Sequence, residues 1–595
     1  MKKIIFLILI TFGTGLHCAE HWRGDLSALE NNHWDKRKVK HLFERAGFGL
    51  NPAEINRLSK VSIEVVVNSL FPDSLLIQAD DFDHSGIHDS TLEPFPPSRP
   101  AATKLAKETG QAMGVSVKPS GNRRLQPVVD RFFYWLRASR LETHRLGYWW
   151  AQKMLSTPYP LVEKMGLLWH GHFATSENKV RDYRKMHRQN ELFREKGLGN
   201  FRDLLIAVAQ DPAMLSFLDA GRNIKGAPNE NFAREVMELF TMGVGHYSER
   251  DIREAARAFT GWNFNDLSFT ITEGDHDDGV KQFMGQSGNY NGVDIIDLIL
   301  KEKVAAEFIA KKIYTYFVTD EISEKFGEVL GEKLTSTNYE IQPFLKTIFM
   351  SKDFYSPQNM GNRIKPPVEL VISTYKKLGV TIIPGVPDFN TVTSELGQQL
   401  FYPPTVAGWK QGQSWMTPGL LLSRGNLFYD IAFPDINFIA TDRYPSGGYK
   451  TIRSVNDKLA LGLDVTSATS PDDVDTTSMS MMMVDRDEDF NTRLGTFRGW
   501  QQALQRVKPI KRDTASFSLT ETVLSAGCNS TSDAVEHLIE RFISVSIDST
   551  TKNQISDFLT REIGTSNLSE ASSYMEEGLR LTLHLILSLP EYQVS

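Results

Sequence analysis

The residues best suited to chemistry lie between Asn229 and Trp262, in the run NENFAREVMELFTMGVGHYSERDIREAARAFTGW. Winding at 100° per residue puts Phe232, Val236, Leu239 and Phe240 on one arc, and Glu230, Asn231, Arg234, Glu235 and Glu238 on the other. Glu230, Arg234 and Glu238 follow an i, i+4, i+8 spacing, so the guanidinium can bridge two carboxylates. On an exposed face each such pair is worth roughly 0.2–0.5 kcal/mol. Two readings follow. Either this is a solvated face laced with ion pairs, or it is a buried polar cluster. In the second case Glu235 and Glu238 bind a metal or serve as acid and base, Arg234 holds an anion, and Asn229 and Asn231 contact substrate.

Three further runs carry ionisable groups. WHGHF at 169–173 sets His170 and His172 two residues apart. On a helix they point about 200° apart and cannot share a metal, whereas a break at Gly171 would bring them to one face. A third ligand from Glu235, Glu238 or His276 would then complete a site for a divalent ion. The alternative is histidines packed among aromatics and bonded to backbone carbonyls. In HDDGVKQF at 276–283, His276 and Asp277 suit an acid–base pair with Lys281 as an anion contact, or an Asp-Asp-Gly turn with solvated charges. In RIKPPVEL at 363–370, Arg363, Lys365 and Glu369 form an anion clamp or the charged start of a proline-opened helix. Trp409 and Trp415 offer a sugar-stacking platform or core packing. No G-x-S-x-G, P-loop, dinucleotide-binding or zinc-protease pattern stands in a fitting context.

The elements that must position these groups are mainly helices. Ser248 with Asp251 is a capping box, Ile252, Ala255, Ala256 and Phe259 form an apolar stripe, and Gly261 ends the helix. Gly243 and Gly245 make the turn before it. Helical patterns persist over 37–70, 127–262, 293–400 and 531–589, and strand signals are confined to short runs such as 268–272 and 380–383. The expected fold is mainly α: a multi-helical globular protein with long irregular insertions and at most a small β hairpin. Its expected segments are an N-terminal helical part (20–78), an insertion (79–124), the main helical domain (125–429), a second insertion (430–515) and a C-terminal helical part (516–595) that packs on the main domain.

At 595 residues the chain is long enough for more than one core. A net charge of −7 without a long basic run gives no footprint for nucleic acid. Lys2 and Lys3 precede the apolar run Ile4–Ile10, the pattern of a secretory signal peptide, so export with cleavage near Gly15 or Ala19 is expected. That run is too short for a membrane span of about 20 residues, and no second run approaches it. Cleavage after Ala19 leaves Cys528 alone, so no disulfide within the chain is expected.

The motifs HLFERAGFG (41–49), WHGHFAT (169–175), QNELFREKGLGNFRDLL (189–205), NENFARE (229–235), HDDGVKQFMG (276–285), RIKPPVEL (363–370), LFYPPTVAGW (400–409) and LSLPEYQ (587–593) occur in this order. Together they resemble the bacterial family known as domain of unknown function 1800, over nearly the whole chain. The resemblance implies an exported, periplasmic or extracellular bacterial protein. It also implies a partner from the sulfatase-like family of unknown function numbered 1501, and it supplies no established reaction. Two functions stand as expectations. One is an envelope enzyme acting on a polymer or glycan through a pocket built from His170, His172, Asn229, Glu230, Arg234, Glu235 and His276. The other is a non-catalytic helical scaffold working with the sulfatase-like partner.

Overall fold

Helices dominate because the apolar residues recur at helical spacing and the ends carry their own caps. Asp35, Asn51, Asp182, Asn200, Asp211, Ser248, Asn291, Ser323, Asp388, Thr417, Ser518, Ser530 and Asp548 each accept a backbone N–H at a helix start. The computed structural model describes residues 22–72, 81–88, 126–435 and 492–595, with side chains described from 130 and 498 in the helices that open the last two ranges. The proposed leader, and most of the two expected insertions, lie outside the described residues. Two described pieces differ from the irregular course expected of them. Phe82 and Ile87 are buried against the long helix Gln126–Ser156, and Thr492–Arg506 is a helix lying along that same helix.

Strand structure is limited, among the described residues, to two antiparallel hairpins, Trp262–Asn265 with Ser268–Ile271 and Lys281–Phe283 with Gln286–Gly288. The second was not legible as a strand pair, and 380–383 forms none. No described helix is long and apolar enough to cross a membrane.

The apolar faces build two cores. One joins the N-terminal helices Lys36–Arg45, Pro52–Leu58 and Ile63–Asn68 to the region from Phe193 to Tyr355. The other joins Gln126–Ser156 to Pro367–Leu378, Pro418–Ala432 and the C-terminal helices through Tyr592. Helix Pro160–His172 feeds both, giving Leu161, Met165 and Trp169 to the first and Leu167 to the second. Trp150 and Trp169 are fully enclosed in them. Full burial of a large apolar side chain is worth about 1.5–3 kcal/mol, so these cores, without disulfides, can carry the fold.

The end of that shared helix is fixed by a close approach that only glycine permits. Gly408 has φ +80°, and a Cβ there would stand 2.2 Å from the Gly171 carbonyl oxygen. The contact seats Trp409 edge-on against the His170 ring, with centroids 5.1 Å apart. Trp409 and Trp415 are both buried, which places them in the core rather than on a stacking platform.

Candidate functional site

The sequence-predicted residues do not meet in one pocket. His170 and His172 both lie within the helix Pro160–His172, which runs through Gly171 without the break that would align them. His170 Nε2 accepts the Phe401 N–H at 3.0 Å, and His172 Nε2 donates to the Phe240 carbonyl at 3.1 Å. Burial brings each imidazole down to about 3, so both are neutral packing and hydrogen-bonding groups that turn to different segments. The shared-ligand geometry is thereby corrected to backbone anchoring.

The 229–240 face is half-exposed. Asn229 caps the helix Glu230–Met237, and Asn231 is exposed. Glu238 begins a π-helical turn, Glu238–Met242, and its carboxylate is taken by Tyr247. Arg234 therefore bridges Glu230 at 3.1 Å and Glu249 of the next helix at 2.7 Å, rather than Glu238. Glu238 instead accepts the Tyr247 hydroxyl at 2.9 Å, and Glu235 is held above the usual carboxylate range by partial burial and the Glu238 charge. With about a third of the Arg234 side chain in solvent, Arg234→Ala should cost no more than about 1 kcal/mol in denaturant unfolding. A loss of 3 kcal/mol would restore the buried-cluster reading.

The expected acid–base pair of His276 and Asp277 is also not formed. His276 Nδ1 donates to the Thr260 carbonyl at 2.8 Å, while Asp277 pairs with Arg257 at 2.8 Å. The Arg257 hydrogen bond brings Asp277 down to about 2. Lys281 is buried and donates to the Asp277 carbonyl.

Arg363 and Lys365 are clamps already filled by the protein's own carboxylates. Arg363 grips Glu369 with two bonds of 2.8 and 2.9 Å, and Lys164 reaches the same carboxylate at 2.5 Å. Lys365 lies 3.6 Å from Glu44, which also pairs with Lys377. Burial would raise both carboxyls, but Lys365 and Lys377 bring Glu44 to about 2, and Arg363 and Lys164 bring Glu369 to about 2. Burial lowers Lys365 to about 7 and Lys164 to about 8. The surplus cations donate to backbone: Arg45 to the Phe317, Val318 and Asn359 carbonyls, Lys365 to Tyr592, and Lys377 to Phe542. This cluster holds helices Lys36–Arg45, Pro160–His172 and Pro367–Leu378 together where the two cores meet. Its role is structural.

Unmet polar capacity collects elsewhere, where WHGHFAT and LFYPPTVAGW come together across some 230 residues of sequence. A cleft of about 480 Å³ is lined by Ser176, Asn178, Lys179, Phe217, Asp219, Arg222, Tyr402, Pro403 and Pro404. The shared helix ends at Phe173, and Ser176 then starts the short helix Glu177–Val180 without making the usual capping bond. The Phe401 carbonyl accepts the Glu177 N–H at 3.0 Å, while the Phe401 N–H donates to His170. His170 thus positions Glu177 and Tyr402 through one residue, Phe401, although it does not line the cleft. On the far wall Asn223 accepts the Asn229 N–H and donates to the Ala256 carbonyl, tying the 229–262 unit to the loop that carries Asp219 and Arg222.

Ser176 Oγ, Glu177 Oε2, Asp219 Oδ1 and the Tyr402 hydroxyl are buried atoms without a hydrogen-bond partner. An unsatisfied buried polar atom costs about 1–3 kcal/mol, so four in one place are unlike a region built for stability alone. Glu177 is buried, accepts the Ser139 hydroxyl at 2.5 Å, and is raised to about 8 by burial, with the Asp182 charge adding to the shift. Near neutral pH it is a carboxylic acid with a proton to give. The Tyr402 hydroxyl is raised by burial and by Glu177. Lys179 donates to Asp219 at 2.9 Å and lies over the Phe217 ring at 5.5 Å. Asp219, Arg181 and Phe401 all take positive φ (55°, 57° and 65°), left-handed backbone that non-glycine residues enter at a cost.

Asp211 lies behind the cleft, at the start of the helix that ends in Phe217. It is raised to about 7 by burial and accepts Gln189 at 2.8 Å, while Thr175 donates to Gln189. Sequence reading missed Glu177, Asp211, Tyr402 and the Lys179–Asp219 pair. One signal was present: an acid directly after WHGHFATS, in a stretch otherwise apolar or small. A group of three or more His, Cys, Asp or Glu side chains able to hold a metal is not found among the described residues.

No curated protein and no solved structure shows significant similarity to this chain. The model of the family described as "Protein of unknown function (DUF1800)" matches residues 41–594, so the chain belongs to that family.

Proposed function

We propose that the protein is an exported bacterial envelope enzyme that cleaves a glycan at the Ser176–Tyr402 cleft. The observation that carries this reading is the Glu177 carboxyl, buried next to the cleft-lining Ser176 rather than on the cleft wall and raised to about 8 by burial, in a group with the unpartnered Ser176 and Tyr402 hydroxyls. Glu177 gives its proton to the leaving glycosidic oxygen as the bond to the anomeric carbon breaks. Water forms the new bond to that carbon and loses its proton to Asp219, which Lys179 holds in place. Asn178 supplies hydrogen bonds to sugar hydroxyls, and Phe217, Pro403 and Pro404 supply the apolar contact that a sugar ring face favours. New reducing ends should appear when the purified protein is incubated with envelope polysaccharide. Their absence across neutral and acidic polymers would reject the reading. Export is supported by the leader-like start, and the protein recovered from periplasm or medium should lack its first 15–19 residues by intact mass. Retention of Met1 would reject it.

A second reading has one observation in its favour. The ion-paired face of 229–249 is half-exposed, as a surface for the sulfatase-like partner would be. Co-purification that Arg234→Glu abolishes would support it, and unchanged recovery would count against it.

A further inference from the structure

Leu420, Leu421 and Leu422 follow one another in the first turn of the helix Pro418–Ala432. Three successive residues spread over about 200° of a helix, so they cannot all face one core. The core takes Leu427, Phe428, Ile431 and Ala432 from this helix and leaves Leu421, Leu422 and Tyr429 exposed, Leu422 by 68 %. The neighbouring helix, Glu576–Ser588, runs antiparallel to it. Ser588 Oγ donates to the Gly425 carbonyl, the His584 and Tyr429 ring centroids stand 5.6 Å apart, and Arg580 donates to the Ala432 carbonyl. Leu585, the residue after His584, is exposed as well, and the Phe433 ring extends the apolar surface at 4.9 Å from that of Tyr429. Large apolar side chains gathered in this way mark an interaction surface, unlike the single ones that any protein surface carries.

The exposed charges on these two helices are both negative, Asp430 and Glu577, and among the described residues neither forms an ion pair. The arginines of the same helices are committed. Arg424 is buried and donates to Gln593 and to the Lys365 carbonyl, and Arg580 pairs with Glu576 at 2.9 Å. Burial holds the His584 imidazole below its ordinary range, so it adds no positive charge near pH 7. We propose that this two-helix face docks an amphipathic helix of another protein, one whose apolar stripe is flanked by lysines or arginines. Its apolar residues, at i, i+3, i+4 and i+7, lie along Leu421, Leu422, Tyr429 and Leu585, and its flanking cations meet Asp430 and Glu577. A second copy of the chain would bring another set of carboxylates to the contact, and anionic lipid would add its own negative charge, so like-charge repulsion works against both.

Two synthetic helical peptides test this in fluorescence anisotropy with the full chain: one of leucine and lysine with its leucines at that spacing, and its counterpart with glutamate in place of lysine. The lysine peptide should bind at least about tenfold more tightly than the glutamate peptide. Leu421→Gln with Leu422→Gln, at exposed positions and with a residue that keeps helix propensity, should weaken its binding by about tenfold or more. Asp430→Lys with Glu577→Lys should reverse the preference between the two peptides. Equal binding of both peptides, binding that survives the leucine substitutions, or no binding of either would overturn the proposal. Sedimentation that shows self-association abolished by the leucine substitutions would assign the face to a second copy instead. Capture of the wild-type chain, but not of the leucine variant, on vesicles of anionic lipid would assign it to a membrane, and either outcome would overturn the proposal too.

Discussion

Glu369→Ala should destabilise the protein by at least about 3–5 kcal/mol, the range for removing one partner of a buried ion pair. Glu369 is buried and neutralises Arg363 and Lys164, and it also accepts the Tyr316 hydroxyl at 3.0 Å. Its removal leaves a guanidinium and an ammonium enclosed without a counter-charge. The partners cannot reach solvent, because Lys164 is fully enclosed and Arg363 nearly so. Denaturant unfolding checks this, with removal of the exposed Lys552–Glu536 pair as a reference that should cost under about 1 kcal/mol. If Glu369→Ala were as mild as the reference, the cluster would not be a structural keystone. The acid limb follows from the same residues. Glu44 and Glu369 are lowered to about 2 in the fold from an ordinary 4.5, so the stability they confer is complete above about pH 4.5 and is lost as pH falls toward 2.

Glu177→Gln should remove a contribution that lowers stability as pH rises between about pH 5 and 8. Here the sign is opposite. Glu177 is raised to about 8 from 4.5 and Asp211 to about 7 from 3.8, so at these two groups the folded state holds protons the unfolded chain has lost, whereas the neutral His170 and His172, lowered to about 3 from 6.5, act in the opposite sense below about pH 6.5. The contribution of each of these two carboxyls to stability therefore falls as pH rises through the window, by about 1.4 kcal/mol for each pH unit in which the group differs fully between the two states. The variant keeps the shape and the Ser139 contact but cannot ionise, so wild type should lose stability relative to the variant as pH rises, the other titrating groups being common to both. Thermal unfolding at pH 5, 6, 7 and 8 makes the comparison. Parallel curves for the two proteins would show that Glu177 is an ordinary ionised carboxylate.

How much of this was legible in the sequence depends on the range of the interaction. Caps and amphipathic stripes are local, and the helix Glu249–Ala258 arrives with the Ser248–Asp251 box and the buried Ile252, Ala255 and Ala256 that its spacing announces. The neighbouring face failed at one residue. The helical wheel relates only residues of one helix, and the partners that decide this face come from the following segment: Glu249 takes Arg234 and Tyr247 takes Glu238. Arg363 and Lys365 were read as an anion clamp or as the charged start of a helix, and the anions they meet are Glu369 and Glu44, the latter some 320 residues away in the chain. No spacing rule reaches that far. A local hint was overlooked: Glu163 and Lys164 interrupt the apolar run PLVEKMGLLWHGH, and charges inside such a run must find partners when it is buried. The cleft needed the meeting of WHGHFATSE with LFYPPTVAGW, which only tertiary packing through Gly408 and Gly171 creates.

The most direct test of the account compares Glu177→Gln with Arg234→Gln for the release of new reducing ends from envelope polysaccharide. The two substitutions address the two places where the chain concentrates ionisable groups, and each is checked for an unchanged circular dichroism spectrum. If the cleft does the chemistry, Glu177→Gln should lose about a hundredfold or more in rate, the usual share of a general acid, while Arg234→Gln keeps the wild-type rate. Wild-type activity in Glu177→Gln, with the loss falling on Arg234→Gln instead, would contradict the account and return the active site to the helix Glu230–Met237.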